Sequence, residues 1–287
     1  MLSYRHAFHA GNHADVLKHL IFMLCVKHMN AKEKPYLLLD THAGAGMYSL
    51  ECEQAKRTGE FVDGVQRLWA ERAAYRKMPA AVADYLKLIE LANGSPGRLR
   101  HYPGSPWLAM NLTREMDRLR FCELHSTDFA ALRRLTKTVE HRTQIAPDDG
   151  FEAMKAALPP ISRRGLVLID PSYEMKSDYP RLLAAIKDAH KRFATGTYLI
   201  WHPFLATLEA HQLPEKIKKS CGAEWLHASL TVRAPSSQHG MHGSGMLIVN
   251  PPWTLRAALE TTLPYLAEKL AQDEGAAWSL HRSENPQ

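Results

Sequence analysis

The run Gly165-Leu166-Val167-Leu168-Ile169-Asp170-Pro171-Ser172-Tyr173 sets an acid and an aromatic ring at the exit of a short apolar stretch. An exocyclic amino group on a nucleobase is a poor nucleophile, because its lone pair is delocalised into the ring. A carboxylate and a backbone carbonyl can grip its two hydrogens, favour a pyramidal nitrogen and free the lone pair. Asp170 can supply the carboxylate, Pro171 the carbonyl, and Tyr173 a face on which an extruded base stacks. A simple Asp-Pro turn at a strand end uses the same letters.

Three further stretches suit a nucleoside partner for that chemistry. Leu37-Leu38-Leu39-Asp40 runs into Thr41-His42-Ala43-Gly44-Ala45-Gly46. Gly44 and Gly46 would let the backbone approach a ligand closely at a helix start. The turn is neither a GxGxxG fingerprint nor a phosphate loop, and it also reads as a plain strand-to-helix turn. Glu123 ends the apolar run Arg120-Phe121-Cys122, where an acid can accept from both ribose hydroxyls or simply face solvent. Asp149-Gly150-Phe151 can accept from an adenine amino group and flank the ring, or Asp149 can cap the next helix.

Asn250-Pro251-Pro252-Trp253 matches the amino-methylating pattern better by letters than Asp-Pro-Ser-Tyr does. Its position argues against it. It lies far from the Gly-rich turn, and residues 245–253 read as the last strand and its exit turn. The four histidines within the first nineteen residues, His6, His9, His13 and His19, raise a metal reading, since His9 and His13 are four apart. There is no His-Glu-x-x-His motif, and Gly11-Asn12 interrupts a helix there. No metal is expected; these side chains should meet phosphate or ligand, or satisfy local hydrogen bonds.

These groups need a frame. Apolar spacing predicts a helix over 15–29, capped by Asp15 or Asn12. Strands are predicted at 36–40, 120–124, 143–145, 165–170, 196–201, 228–232 and 245–249. Helices are predicted through 115, over 129–139 and over 151–158, with helical patterns between most of the later strands. Residues 47–92 lack strand signals and read as a helical insertion, with residues 1–46 and 93–287 forming the main domain. Residues 101–106 read as a turn, and the last dozen residues as frayed. Strands alternating with helices predict a mostly parallel α/β sheet, with sites at the carboxyl ends of its strands.

Bulk features narrow the class. The chain has 287 residues, a formal charge of +6, 45% hydrophobic and 23% charged residues, which excludes a disordered or collagen-like protein. The four cysteines are scattered without a CxxC pair, so free thiols in a reducing compartment are expected. The apolar run 20–26 is too short to span a bilayer and follows a polar start, so a cytoplasmic protein with no membrane segment is expected. Residues 1–35 hold Arg5, Lys18, Lys27, Lys32 and Lys34 against Asp15 and Glu33, a basic bias that suits a polyanion.

Nearly the whole chain resembles the ribosomal large-subunit RNA methyltransferase J family. The resemblance is carried by Met1–His6, Gly11–His19, Leu39–Gly46, Tyr102-Pro103-Gly104-Ser105-Pro106 and Ser162-Arg163-Arg164-Gly165. It implies a class I methyltransferase fold with a small helical insertion after the Gly-rich turn. It implies methyl transfer from S-adenosylmethionine, with S-adenosylhomocysteine as product, to the N6 of one adenine in 23S ribosomal RNA. Cofactor contacts are implied at His19, His42, Ser105, Glu123, Asp149, Gly150 and Asp170. Tyr4 and His6 are expected at the RNA, Lys18 at cofactor or target, and the protein is expected to be a monomer. The family tetrapeptide is usually Asp-Pro-Pro-Tyr; Ser172 replaces its second proline, which predicts a looser loop and a slower enzyme. Related chemistries with the same letters are DNA adenine or protein glutamine methylation, or RNA binding without catalysis.

Overall fold

The computed structural model describes residues 5–94, 97–236 and 240–283. α1 (His13–Asn30) starts at Asn12, whose side-chain oxygen accepts from the Asp15 amide at 2.9 Å. Val16, Leu17, Leu20, Ile21, Phe22 and Met23 are all fully buried. A helix apolar on every side belongs in the core.

The chain continues through β1 (Leu37–Asp40), β2 (Met47–Ser49), α2 (Glu53–Thr58), α3 (Val65–Ala70) and α4 (Ala80–Asn93). It follows with β3 (His101–Pro103), α5 (Ser105–Leu112), β4 (Arg118–Cys122), α6 (Ser126–Leu135), β5 (Thr143–Ala146), α7 (Gly150–Ala157) and β6 (Gly165–Ile169). The last elements are α8 (Asp178–Arg192), β7 (Thr197–Phe204), α9 (Leu208–Cys221), β8 (Trp225–Thr231), β9 (Gly243–Val249), α10 (Leu255–Leu270) and β10 (Ala277–Arg282).

Among the described residues the main sheet runs β10-β8-β9-β7-β6-β1-β4-β5. β5, β4, β1, β6 and β7 are parallel. β9 is inserted antiparallel between β7 and β8, and β10 pairs antiparallel with β8. The chain leaves β1 toward β4 and β5, then crosses back to β6 on β1's other side. Strand order reverses there, which opens a crevice beyond the carboxyl ends of β1 and β6.

Strand residues alternate between two hydrophobic layers, as a sheet covered on both faces requires. Leu38, Leu166 and Leu168 pack with α1 and α10, whereas Leu39, Val167 and Ile169 pack with α7, α8 and α9. Val65, Leu68, Val82, Tyr85 and Ile89, from the segment between β1 and β4, join the α1 layer.

Three sequence expectations change. The stretch 47–92 is not wholly helical: Met47–Ser49 pairs antiparallel with His101–Pro103, which was read as a turn. The 245–253 stretch is not the last strand, because Ala277–Arg282, read as frayed, pairs with β8 along its whole length. All three short strands lack a β-branched run and exist through long-range pairing, which local propensity does not report. No helix among the described residues is long and apolar enough to cross a membrane.

Candidate active site

A cavity of ≈ 550 Å³ opens at the carboxyl ends of β1, β4 and β6. Its wall includes His6, Lys18, His19, His42, Gly44, Ser105, Glu123, Asp149, Gly150, Asp170 and Pro171. Residues spread over 165 positions of sequence thus converge because each sits at a strand exit or on a helix facing one.

Glu123 leaves β4 and braces the Gly-rich turn. One carboxylate oxygen accepts from the Gly44 amide at 2.7 Å and the other from the His125 amide at 2.6 Å. Burial raises its pKa. Each oxygen retains a second acceptor site for a ligand hydroxyl. Gly44 has φ +64°, and a Cβ there would fall 2.1 Å from the Tyr48 hydroxyl, so only glycine fits. Gly46 is not on the cavity wall. Its carbonyl accepts from the Gly104 amide at 2.9 Å, and it seats the turn against Leu135.

Of the two roles the sequence left open for Asp149, the structure shows the helix cap. Its Oδ1 caps α7, accepting from Phe151 N at 3.0 Å and Glu152 N at 3.3 Å, while Oδ2 pairs with Arg181 at 2.5 Å. Burial works against the ionised form, but the Arg181 and backbone hydrogen bonds prevail and lower the pKa. Arg181 lies 5.0 Å above the Phe151 ring, whose edge meets His42 at 5.2 Å. A Cβ on Gly150 would come 2.0 Å from the Thr41 carbonyl, so glycine lets α7 start against the β1 turn.

His42 and His19 are held neutral: burial pushes His42 down to about 4 and His19 down to about 3. His19 Nδ1 meets the Tyr102 hydroxyl at 2.7 Å. Ser105 donates to Asp40 at 2.6 Å, and burial raises the Asp40 carboxyl to about 7.

Asp170 follows β6. Lys18 Nζ donates to its Oδ2 at 2.5 Å and also lies 2.8 Å from Asp15 Oδ1. Burial disfavours the ammonium, but the Asp15 and Asp170 charges raise the Lys18 pKa. Beyond Asp170 lies a second cavity of ≈ 500 Å³, which shares His6, Lys18, Asp170 and Ser172 with the first.

The predicted role of Tyr173 does not match its placement. The residue adopts φ +54° and is not among the residues that line either cavity. Its hydroxyl donates to the Trp201 carbonyl at 2.5 Å, and its ring lies 5.0 Å from Tyr179 and 5.7 Å from Trp201. It braces the turn from behind. The aromatic on the second cavity's wall is Trp201, the last residue of a predicted strand, for which no motif spoke. Arg181 and Asp15 were also missed as site groups; the Asp15–Lys18 spacing was the available signal for the latter. Tyr4 lies outside the described residues.

Asn250 sits at the opposite end of the strands from the crevice. β9 runs antiparallel, and its Val249 pairs with Tyr198 near the start of β7. The Asn250 amide donates to the Ala194 and Gly196 carbonyls at 2.7 and 2.8 Å. The described residues hold no group of three or more His, Cys, Asp or Glu that could bind a metal.

Five parallel strands, an inverted β9 and a crevice lined by Glu123, Asp149 and Asp170 define a class I methyltransferase fold. A family model described as ribosomal RNA large subunit methyltransferase D, RlmJ, matches residues 33–281, and the chain belongs to that family. It is 44% identical over 270 residues to the Escherichia coli protein named ribosomal RNA large subunit methyltransferase J, covering 94% of each chain. The Haemophilus influenzae protein of that name is 42% identical over 280 residues, covering 98% of each. A solved protein from Legionella pneumophila is 31% identical, with a TM-score of 0.87 over 96% of this chain and 99% of that one.

The methyl donor of this chain is S-adenosylmethionine. The residues fit it. Gly44 and Gly150 allow close approach, Glu123 offers acceptors for a ribose, and Asp149 and Phe151 offer an acceptor and a ring edge for an adenine.

Proposed function

We propose that the chain transfers a methyl group from S-adenosylmethionine to the exocyclic N6 of one adenine in 23S ribosomal RNA. The single observation that carries the reading is the position of Asp170. Its carboxylate stands at the joint between two cavities, with Lys18 on one oxygen only.

The bound donor supplies an electrophilic methyl group. Glu123 receives the ribose hydroxyls, and Asp149 with Phe151 the adenine of the cofactor. On the other side, Asp170 Oδ1 and the Pro171 carbonyl take the two amino hydrogens of the target adenine. That directs the nitrogen lone pair in line with the methyl group; the N–C bond would form as the S–C bond breaks to leave S-adenosylhomocysteine, and one amino proton would leave through Asp170 to water, with positioning and polarisation lowering the barrier. His19 and His42, neutral at pH 7, add no positive charge that would repel a sulfonium. An adenine within a helix must be flipped out to reach this joint, and the ≈ 500 Å³ cavity with Trp201 on its wall suits the extruded base.

The test is mass spectrometry of ribosomal RNA from cells lacking this protein. One N6-methyladenine should vanish from the large-subunit RNA and return on incubation with the purified protein and S-adenosylmethionine. An unchanged modification profile, or transfer to DNA in preference to RNA, contradicts the reading.

A further inference from the structure

We propose that Asp15, buried in the first turn of α1, is a positioning residue for the methyl transfer: it holds Lys18 on one oxygen of Asp170 and fixes His6 at the joint between the cavities. The inference rests on the reading of Asp170 as acceptor of the amino hydrogens.

Asp15 is 1% exposed, and its two oxygens face different partners. Its Oδ2 accepts from His6 Nε2 at 2.9 Å and from the Gly11 amide at 2.9 Å. Its Oδ1 forms the 2.8 Å ion pair with Lys18. Burial raises the Asp15 pKa, but the neighbouring His6, Lys18 and His19 outweigh it and keep the carboxyl well below its usual range. An ionised carboxylate only accepts, so His6 carries a proton on Nε2.

A plain helix cap does not explain this arrangement. Asn12 already caps α1. The Gly11 amide needs only an acceptor, which a neutral side chain provides. A buried charge is costly unless it is paired, and the pairing here reaches into the site. Lys18, 4% exposed, bridges two carboxylates, one inside α1 and one on the cavity wall. Asp15 therefore sets how far the ammonium moves toward Asp170. With Asp15 pulling from behind, Lys18 contacts Oδ2 alone and leaves Oδ1 for the amino group. Without that charge, the ammonium is free to settle across both oxygens of Asp170 and compete with the substrate.

Asp15→Asn keeps the shape and an acceptor for the Gly11 amide but removes the charge. The single-turnover methylation rate should fall roughly 10²-fold while cofactor affinity by calorimetry stays within about twofold, because misplacement at the reacting centre harms rate and not cofactor binding. The pair should also be non-additive, with D15N/K18M no slower than K18M. Acylation of Lys18 by an amine-reactive anhydride, read by mass spectrometry, should rise roughly tenfold in D15N as the ammonium loses its partner. If D15N does not fold, Asp15→Glu substitutes: it keeps the charge but displaces it, and its rate should fall at least roughly tenfold. A folded variant with the full rate overturns the inference. So does a loss of rate that only follows lost cofactor binding and lowered Tm. Wild-type protein inactive on ribosomal RNA overturns the substrate reading instead, and the acylation result then decides whether Asp15 holds Lys18.

Discussion

Two turns in this chain share an Asx-Pro start and a terminal aromatic: Asp170-Pro171-Ser172-Tyr173 and Asn250-Pro251-Pro252-Trp253. Both follow buried strands, and each contains a non-glycine residue with positive φ, Tyr173 at 54° and Asn250 at 53°. Strand direction separates them. β6 is a central parallel strand, so its exit opens on the crevice; β9 is inverted, so its exit lies at the opposite end of the strands. The polar groups then take different work. Asp170 faces Lys18 at the cavity joint, while the Asn250 amide is consumed by two backbone carbonyls. Tyr173 is buried behind its turn, whereas Trp253 is 85% exposed. A motif acquires chemistry from the end of the sheet on which it lies.

The largest effect expected from this contrast comes from Asp170→Ala, which should reduce methyl transfer by roughly 10³-fold or more while cofactor binding is partly retained. Asn250→Ala should leave the rate near wild type and lower stability by about 1–2 kcal/mol, from two lost hydrogen bonds. Equal losses of activity in the two variants would break the comparison. Next in size, Glu123→Ala should weaken cofactor binding roughly 10–100-fold in calorimetry, the loss of charge-assisted hydrogen bonds to a ribose. Unchanged affinity would remove the ribose assignment.

Acid should destabilise the fold through its buried neutral histidines, His42 at the crevice among them. His42 is depressed to about 4 in the folded chain. A histidine neutral when folded but protonated when unfolded stabilises fully above the unfolded value near 6.5, and that stability is lost as pH falls toward about 4. Urea midpoints should therefore be flat from pH 8 to 7 and drop by pH 5, with His42 contributing about 2 kcal/mol of the loss. His42→Asn should flatten that drop in part; an unchanged pH slope would contradict it. The smallest effect is expected for Ser172→Pro, which should raise the rate by about two- to fivefold by stiffening the turn. A rate indistinguishable from wild type would show that Ser172 costs the enzyme nothing.

Much of the frame was legible. The apolar run 165–169 could only be a buried strand, and the acids at strand exits, Glu123 and Asp170, lie on the crevice as their positions suggested. The α/β class followed from those stretches, and the cofactor from the family resemblance. Less legible were features fixed by distant partners. β10 depends on β8, and Met47–Ser49 on His101–Pro103. The direction of the Tyr173 ring depends on a left-handed backbone that the letters Pro-Ser-Tyr do not announce. Asp15 reads as a cap candidate because Asp170, the carboxylate that shares Lys18 with it, is 155 residues away.

The cofactor is expected between Glu123 and Asp170, at the carboxyl ends of β4 and β6. A crystal structure with S-adenosylhomocysteine tests it most directly. The ribose hydroxyls should lie on the Glu123 carboxylate, the adenine beside Asp149 and Phe151, and the sulfur should face Asp170. Cofactor bound at the Asn250 turn, or in the crevice with its sulfur turned away from Asp170, would contradict it.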